Sequence, residues 1–137
     1  MIGGKIDPRF AKLTVLLVED DGFALKLAQS VLKNLGVGHV VVARDGAEAI
    51  RILDSKATRA DLIISDWNMP NVTGLDLLRH VRKTWQNMPF IMLTGRATED
   101  FVLAAKEHGV NGYVVKPFSP DQLSRKIQSV FNMKPDA

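Results

Sequence analysis

The stretch Asp61-Leu-Ile-Ile-Ser-Asp-Trp-Asn-Met-Pro70 decides how this chain is read. Leu62, Ile63 and Ile64 form a short apolar run that leads to Ser65 and Asp66, and Pro70 follows four positions later. Such a run reads as a strand buried in a parallel sheet. A carboxylate at the C-terminal end of that strand stands where open α/β sheets place their ligands. The earlier run Leu13-Thr-Val-Leu-Leu-Val18 ends the same way, in Glu19-Asp20-Asp21. Two strands therefore carry at least three carboxylates to one sheet edge. Like charges crowded there are costly unless a cation joins them. The simplest reading is a hard-metal site built around one reactive aspartate.

Outward from that stretch, apolar β-branched runs alternate with helical patterns five times. The expected strands are Leu13–Val18, His39–Ala43, Leu62–Ser65, Phe90–Leu93 and Gly112–Val115. The first helical pattern sets Ala24, Leu27, Ala28, Val31 and Leu35 on one face, and Gly36 stops it. The second starts at Asp45-Gly-Ala-Glu48, which resembles a capping box. The third opens at Thr73-Gly74, with Asp76 three beyond the cap, and turns Leu75, Leu78, Val81 and Trp85 inward. The fourth begins near Thr98-Glu-Asp100, where two acids suit the helix dipole, and ends at His108-Gly109. The fifth opens with Ser119-Pro-Asp-Gln122 and buries Leu123, Ile127, Val130 and Phe131. Strands alternating with helices imply an α/β fold, a doubly wound five-stranded parallel sheet with right-handed crossovers. One domain over residues 12–132 is expected, with loosely held ends at 1–11 and 133–137.

Composition narrows the function classes. A chain of 137 residues suits one domain and buries roughly two-thirds of its unfolded surface. It has no cysteine, which excludes disulfides, thiolate metal sites and cysteine nucleophiles, and fits a reducing cytoplasm. No apolar stretch approaches the ~20 residues of a membrane span, and the N-terminus lacks the apolar core of a signal peptide. The net charge of +3 is scattered along the chain, which argues against direct nucleic-acid binding. His39, His80 and His108 stand at no metal spacing and read as surface residues.

The chemistry-bearing residues converge on the C-terminal edge of the sheet. Glu19 and Asp20 follow the first strand, Asp66 the third, Thr94 the fourth, and Lys116-Pro117 the fifth. Carboxylates without His or Cys favour Mg²⁺, which takes oxygen ligands and keeps several waters. Lys supplies a point charge suited to a phosphoryl oxygen, and Thr a hydroxyl donor. Aspartate is a covalent acceptor of phosphoryl groups. Together they meet the needs of in-line phosphoryl transfer to a carboxylate. Each has a plainer reading alone. A single strand-end Asp is usually a cap, Lys116 could be a solvated turn residue, and Tyr113 a packing aromatic. Asp21 reads as the cap of the first helix, and Trp67 and Trp85 as packing or rim residues.

Asp66-Trp-Asn-Met-Pro70 with Gly74, Thr94 and Tyr113-Val-Val-Lys-Pro-Phe118 resemble the receiver domain of bacterial response regulators, the CheY-like family. The resemblance covers residues 12–132, with the motifs in order. It implies a flavodoxin-like fold with strand order 2-1-3-4-5, an order that the CheY example of the doubly wound fold also carries. It implies that Asp66 accepts a phosphoryl group from a sensor histidine kinase or phosphotransfer protein in a two-component phosphorelay. Asp20, Asp66 and the Asn68 backbone carbonyl would bind Mg²⁺, with Glu19 acting through water. Thr94 and Lys116 would hold the phosphoryl group, and Thr94 with Tyr113 would form the switch. A cis bond is expected at Lys116-Pro117. The face of the fourth helix, fifth strand and fifth helix would control a downstream target, offering Lys106, Tyr113, Phe118, Arg125 and Lys126. The chain would be a monomer or a weak phosphorylation-dependent dimer in the cytoplasm. It would be no turnover enzyme, but would assist its own phosphorylation and dephosphorylation.

Some positions depart from the family pattern. The acidic pair is Glu-Asp rather than Asp-Asp, and Thr73 stands where many members carry Asp. Gly95, often Ala in the family, leaves the site's rim open, and Arg96 is a rim position expected to affect phosphoryl lifetime. Three other readings compete. A flavodoxin-like cofactor binder would want Ser, Thr or Gly where the chain has Glu-Asp-Asp. An interaction domain that has lost phosphorylation would not need the five-residue set. The third is the N-terminal receiver of a longer regulator cut from its DNA-binding output domain, against which a stand-alone receiver is favoured.

Overall fold

The computed structural model describes residues 8–95 and 98–132. Five parallel strands, β1 (Thr14–Val18), β2 (His39–Ala43), β3 (Leu62–Asp66), β4 (Phe90–Thr94) and β5 (Gly112–Val115), form one sheet in the order β2-β1-β3-β4-β5. Five helices alternate with them: α1 (Gly22–Leu35), α2 (Gly46–Ser55), α3 (Gly74–Thr84), α4 (Glu99–Glu107) and α5 (Pro120–Asn132). This is the expected flavodoxin-like arrangement. β3 and β4 each run one residue further than expected, so Asp66 and Thr94 belong to the strands themselves.

Alternate strand residues serve two cores, which is why the runs are apolar throughout. Val15, Leu17, Leu62, Ile64, Ile91 and Leu93 face α1 and α5. Leu16, Val18, Ile63, Phe90 and Met92 face α2, α3 and α4. Each fully buried Leu or Ile contributes about 1.5–3 kcal/mol relative to exposure, so these central strands anchor the sheet.

Local signals set the helix ends. Asp21 caps α1 by accepting from Ala24 N at 3.0 Å, and Gly36 ends it with φ 88°. Thr73 and Asp76 exchange both bonds of a capping box, as do Ser119 and Gln122 at α5. At α2 the box is incomplete: Asp45 accepts from Glu48 N, but the Glu48 carboxylate turns to Arg44 N. Two inner faces sit differently from the expectation. α1 buries Leu25 and Leu32, leaving Leu27 and Leu35 half-buried. α3 buries Leu77, while Trp85 lies past the last turn and is half-buried. A helix packed between a sheet and its neighbours uses a wider apolar arc than one heptad seam.

The N-terminal end also differs. Residues 8–11 were expected to be loosely held, but Pro8–Lys12 forms a 3₁₀ helix. Its Phe10 is buried and meets the Phe131 ring edge-on at 5.7 Å. Two histidines are tied rather than simply solvated. His80 Nε2 lies 3.0 Å from Asp54 Oδ1, and His108 Nε2 accepts from Arg79 Nε at 3.1 Å. The remaining parts of the expected loose ends, and Arg96, lie outside the described residues.

Candidate functional site

Register, more than sequence proximity, assembles the site. Val18 pairs with Ser65, Asp66 with Leu93, and Thr94 with Val115. Glu19, Asp66, Thr94 and Lys116 therefore fall in a stepped row along one edge, each at or one residue past its strand's end. Backbone bonds hold the steps: Glu19 N donates to Ala43 O at 3.0 Å, Trp67 N to Leu93 O at 2.8 Å, and Lys116 N to Thr94 O at 2.7 Å. Ser65, which the sequence did not single out, donates its hydroxyl to Asp66 O at 3.0 Å. The Lys116-Pro117 bond is cis.

Two glycines let the loops on this edge close over one another. A Cβ on Gly74 would stand 2.5 Å from Asp66 O and 2.8 Å from Trp67 Cα. A Cβ on Gly46 would stand 2.7 Å from Val72 O. Between them Asn71 takes φ 67°, a left-handed conformation that Asn tolerates better than most residues.

Carboxylate oxygens of Glu19, Asp20 and Asp66 all lie within 4.8 Å of one another. Glu19 has no exposed surface and Asp66 is 5% exposed, whereas Asp20 is open to solvent. The Lys116 ammonium lies 2.6 Å from Glu19 Oε1 and 3.2 Å from Asp66 Oδ1. The first distance is short, yet Glu19 Oε1 makes no properly angled hydrogen bond among the described residues. Glu19 Oε2 accepts from Asp21 N at 3.2 Å, and Asp66 Oδ1 from Asn68 N at 3.4 Å.

The charges do not balance: one ammonium serves two buried carboxylates. Burial, with the Asp66 charge added, lifts the Glu19 pKa above its ordinary value, and Lys116 only partly opposes this. Burial pulls the Lys116 pKa down, but the adjacent Glu19 and Asp66 carboxylates outweigh it and the net shift is upward. A simple ion pair would lower the Glu. Here the Glu19 shift points upward because full burial, with the Asp66 charge added, outweighs Lys116.

An all-oxygen donor set with surplus negative charge, one exposed member and a badly angled buried oxygen fits a hard divalent cation. Thr94 is 5% exposed at the end of β4. Asn68 is exposed in the loop after Asp66, and Gly95 is exposed on the rim. Tyr113 is half-buried on β5, packed on the α4 side of the sheet. Of the surface residues expected on that side, Phe118 is instead buried at 6%, inside the core beneath α5. Lys106 and Arg125 are exposed. A separate cleft of about 660 Å³, lined by Leu13, Ala60, Trp85, Met88 and Phe131, lies at the strands' opposite ends, away from the carboxylates.

Residues 15–128 match the model of the response regulator receiver domain. The chain is 38% identical over 121 residues to the chemotaxis protein CheY of Pseudomonas aeruginosa, covering 87% of this chain and 96% of that one. Among solved structures it is similar to the chemotaxis response regulator CheY4 of Vibrio cholerae, with TM-score 0.77, 33% identity, and 86% and 98% of the two chains covered. It is also similar to the Mn²⁺-bound form of response regulator Rcp1, with TM-score 0.74, 29% identity, and 88% and 93% covered. The cluster of Glu19, Asp20 and Asp66 resembles the phosphorylation site of such domains, and it is capable of binding a metal. The motifs at the sheet edge, the strand order and the match over most of the chain agree: this protein belongs to the response regulator receiver domain family, and is CheY-like.

Proposed function

We propose that the chain is a phosphorylation-operated signalling module in which Asp66 accepts a phosphoryl group from a histidine kinase or phosphotransfer protein. The observation that carries this reading is the placement of Asp66 between the exposed Asp20 and the half-buried Lys116, whose ammonium lies 3.2 Å from Asp66 Oδ1. An Asp66 carboxylate oxygen attacks phosphorus, forming an O–P bond as the donor's N–P bond breaks. The bonding electrons return to the imidazole nitrogen. A carboxylate needs no base for this step. Lys116 stands ready to balance the charge on the phosphoryl oxygens, and the Thr94 hydroxyl to donate to one of them.

Asp20, Asp66 and the Asn68 carbonyl would hold Mg²⁺, with Glu19 acting through water. Bound there, Mg²⁺ would neutralise charge between the acidic cluster and the incoming phosphoryl group. The exposed Asp20 and Asn68 leave the donor set open to solvent. Once Asp66 is modified, Thr94 moves toward it and Tyr113 fills the space beside β5. The α4-β5-α5 face then meets a downstream target in the cytoplasm. Receiver domains of this kind are typically phosphoacceptors rather than turnover enzymes.

Intact mass measured after incubation with Mg²⁺ and acetyl phosphate tests the assignment. Wild type gains one phosphoryl group and Asp66→Asn gains none. Equal labelling of the two proteins sinks it.

A further inference from the structure

We infer that Phe101 is a positioning residue that ties α4 to the phosphoacceptor end of β3 through Trp67, by a path that does not pass through Thr94 or Tyr113. The inference rests on the reading of Asp66 as the phosphoacceptor. The Phe101 and Trp67 rings meet edge-to-face, with centroids 4.8 Å apart and planes at 70°. That is a preferred geometry for an aromatic pair, and one that depends on orientation.

The two partners are held very differently. Trp67 follows Asp66 directly and is 8% exposed. Its N–H donates to Leu93 O at 2.8 Å, and its carbonyl accepts from Gly74 N at 2.9 Å. Both are backbone bonds, so the main chain that carries the indole is fixed beside the phosphoacceptor, and the ring itself is held by burial. α4 is the loosely held element. Among its described residues only Ala105 is buried, in the second half of the helix. In the first turn Glu99 and Asp100 are exposed, and Phe101 is half-buried. The Phe101 backbone N–H donates a long cap bond to Thr98 Oγ1 at 3.4 Å. Helices with little buried surface open at low cost. A small displacement of the Asp66–Asn68 backbone therefore moves the indole edge, and the first turn of α4 either follows it or loses the contact. Because coupling free energy is reciprocal, a target that holds α4 in place also biases the geometry at Asp66.

The test uses the full chain with beryllofluoride and Mg²⁺ as the probe, read by amide chemical shifts. Wild type should shift at residues 64–68, 98–107 and 112–116. In Phe101→Leu, which keeps apolar volume but has no ring, the shifts at 98–107 should fall at least twofold while those in the other two regions keep their wild-type size. Phe101→Tyr should restore them. In a Trp85→Phe background, where Trp67 is the sole tryptophan, Phe101→Leu should also change the emission maximum before any addition. Undiminished α4 shifts, or an unchanged emission maximum, overturn the inference. So does a uniform loss across all three regions, which would make Phe101 a general fold residue. A wild type with no shift at 64–68 would overturn the phosphoacceptor reading as well, so the two failures are distinct.

Discussion

The Lys116 ammonium lies 2.6 Å from Glu19 Oε1, a carboxylate with no exposed surface, and it must also serve Asp66 at 3.2 Å. One cation shared by two buried anions leaves the metal-free site electrostatically strained. That imbalance has consequences for pH, for metal binding and for stability.

The first concerns pH. The Glu19 pKa is raised by burial, so the folded state binds this proton more tightly than the unfolded chain does. Stability from this group is present below the ordinary value near 4.5 and is lost as pH rises through the raised folded value. The informative quantity is a difference between two proteins that share every other carboxylate. In EDTA, the Tm of wild type minus that of Glu19→Gln should fall as pH rises from 4 toward neutrality. A constant or rising difference would show that Lys116 fully compensates Glu19.

The second concerns the cation. Asp20 is the exposed member of the cluster, where a metal would reach it from solvent. Mg²⁺ should raise the Tm of wild type by binding only the folded state. Asp20→Ala should weaken that binding by roughly tenfold or more, a loss above about 1.4 kcal/mol. Asp20→Asn should raise the Tm in EDTA, because it removes one of three repelling charges. Tryptophan emission titrated with Mg²⁺ measures the affinity. A wild-type curve for Asp20→Ala would remove Asp20 from the ligand set.

The third concerns backbone approach at the site. A methyl group on Gly74 would meet the backbone at Asp66 O and Trp67 Cα and the Met92 sulfur at 2.7 Å. Backbone cannot swing aside as a side chain can. Gly74→Ala should therefore cost about 2–3 kcal/mol, at the upper end of overpacking. It should also lower the phosphorylation rate by displacing the Asp66 carbonyl. Denaturant melts read the first effect and mass labelling the second. A neutral substitution would mean that the β3–α3 loop is looser than these distances indicate.

The fourth lies far from the chemistry. Arg82 donates to Gly109 O at 2.8 Å, to Met88 O at 2.7 Å and to Asn111 Oδ1 at 2.9 Å. Asn111 Oδ1 in turn accepts from Phe90 N at 2.8 Å. One guanidinium thus pins the loops before β4 and β5. Arg82→Ala should destabilise by about 1.5–3 kcal/mol, since several charge-assisted bonds are lost together, the one to Met88 O partly buried. Arg82→Lys should recover little, because an ammonium cannot reproduce the fork. Phosphorylation at Asp66 should persist in both variants below their Tm. Loss of labelling in folded Arg82→Ala would tie this clamp to the site.

The Arg82 clamp was not legible in the sequence, and the reason is physical. Strand runs, caps and stop glycines are local signals, so Leu62–Asp66, the Thr73 box and Gly36 could be read directly. The edge location of Glu19, Asp20, Asp66, Thr94 and Lys116 followed from strand ends plus the parallel topology. Arg82 to Asn111, Trp67 to Phe101 and Phe10 to Phe131 join residues far apart in sequence with no shared period. Phe118 looked like a surface aromatic because it follows the Lys116-Pro117 turn, yet the chain re-enters the core there. That one Lys116 ammonium is shared by Glu19 and Asp66 also needed distances.

The expected switch joins Thr94 to Tyr113. Thr94 pairs in register with Val115, and Met92 with Tyr113, so Thr94 and Tyr113 sit on adjacent strands two steps apart. Tyr113 is half-buried on the side of the sheet that α4 covers, where its ring can respond to space opened near β4. A dianionic phosphoryl group on Asp66 is a stronger acceptor than any neutral oxygen nearby and should draw the Thr94 hydroxyl toward it. Tyr113 is the chain's sole tyrosine, so its ring signals are unambiguous in solution spectra. Beryllofluoride with Mg²⁺ should shift those signals in wild type. In Thr94→Val, which keeps the branched shape without the hydroxyl, the shift should fall to less than half while the mimic still binds Asp66. A coupling of ~1–3 kcal/mol between the site and a target on the α4-β5-α5 face would shrink in parallel. Ring signals that shift as fully in Thr94→Val as in wild type would show that Tyr113 does not read Thr94.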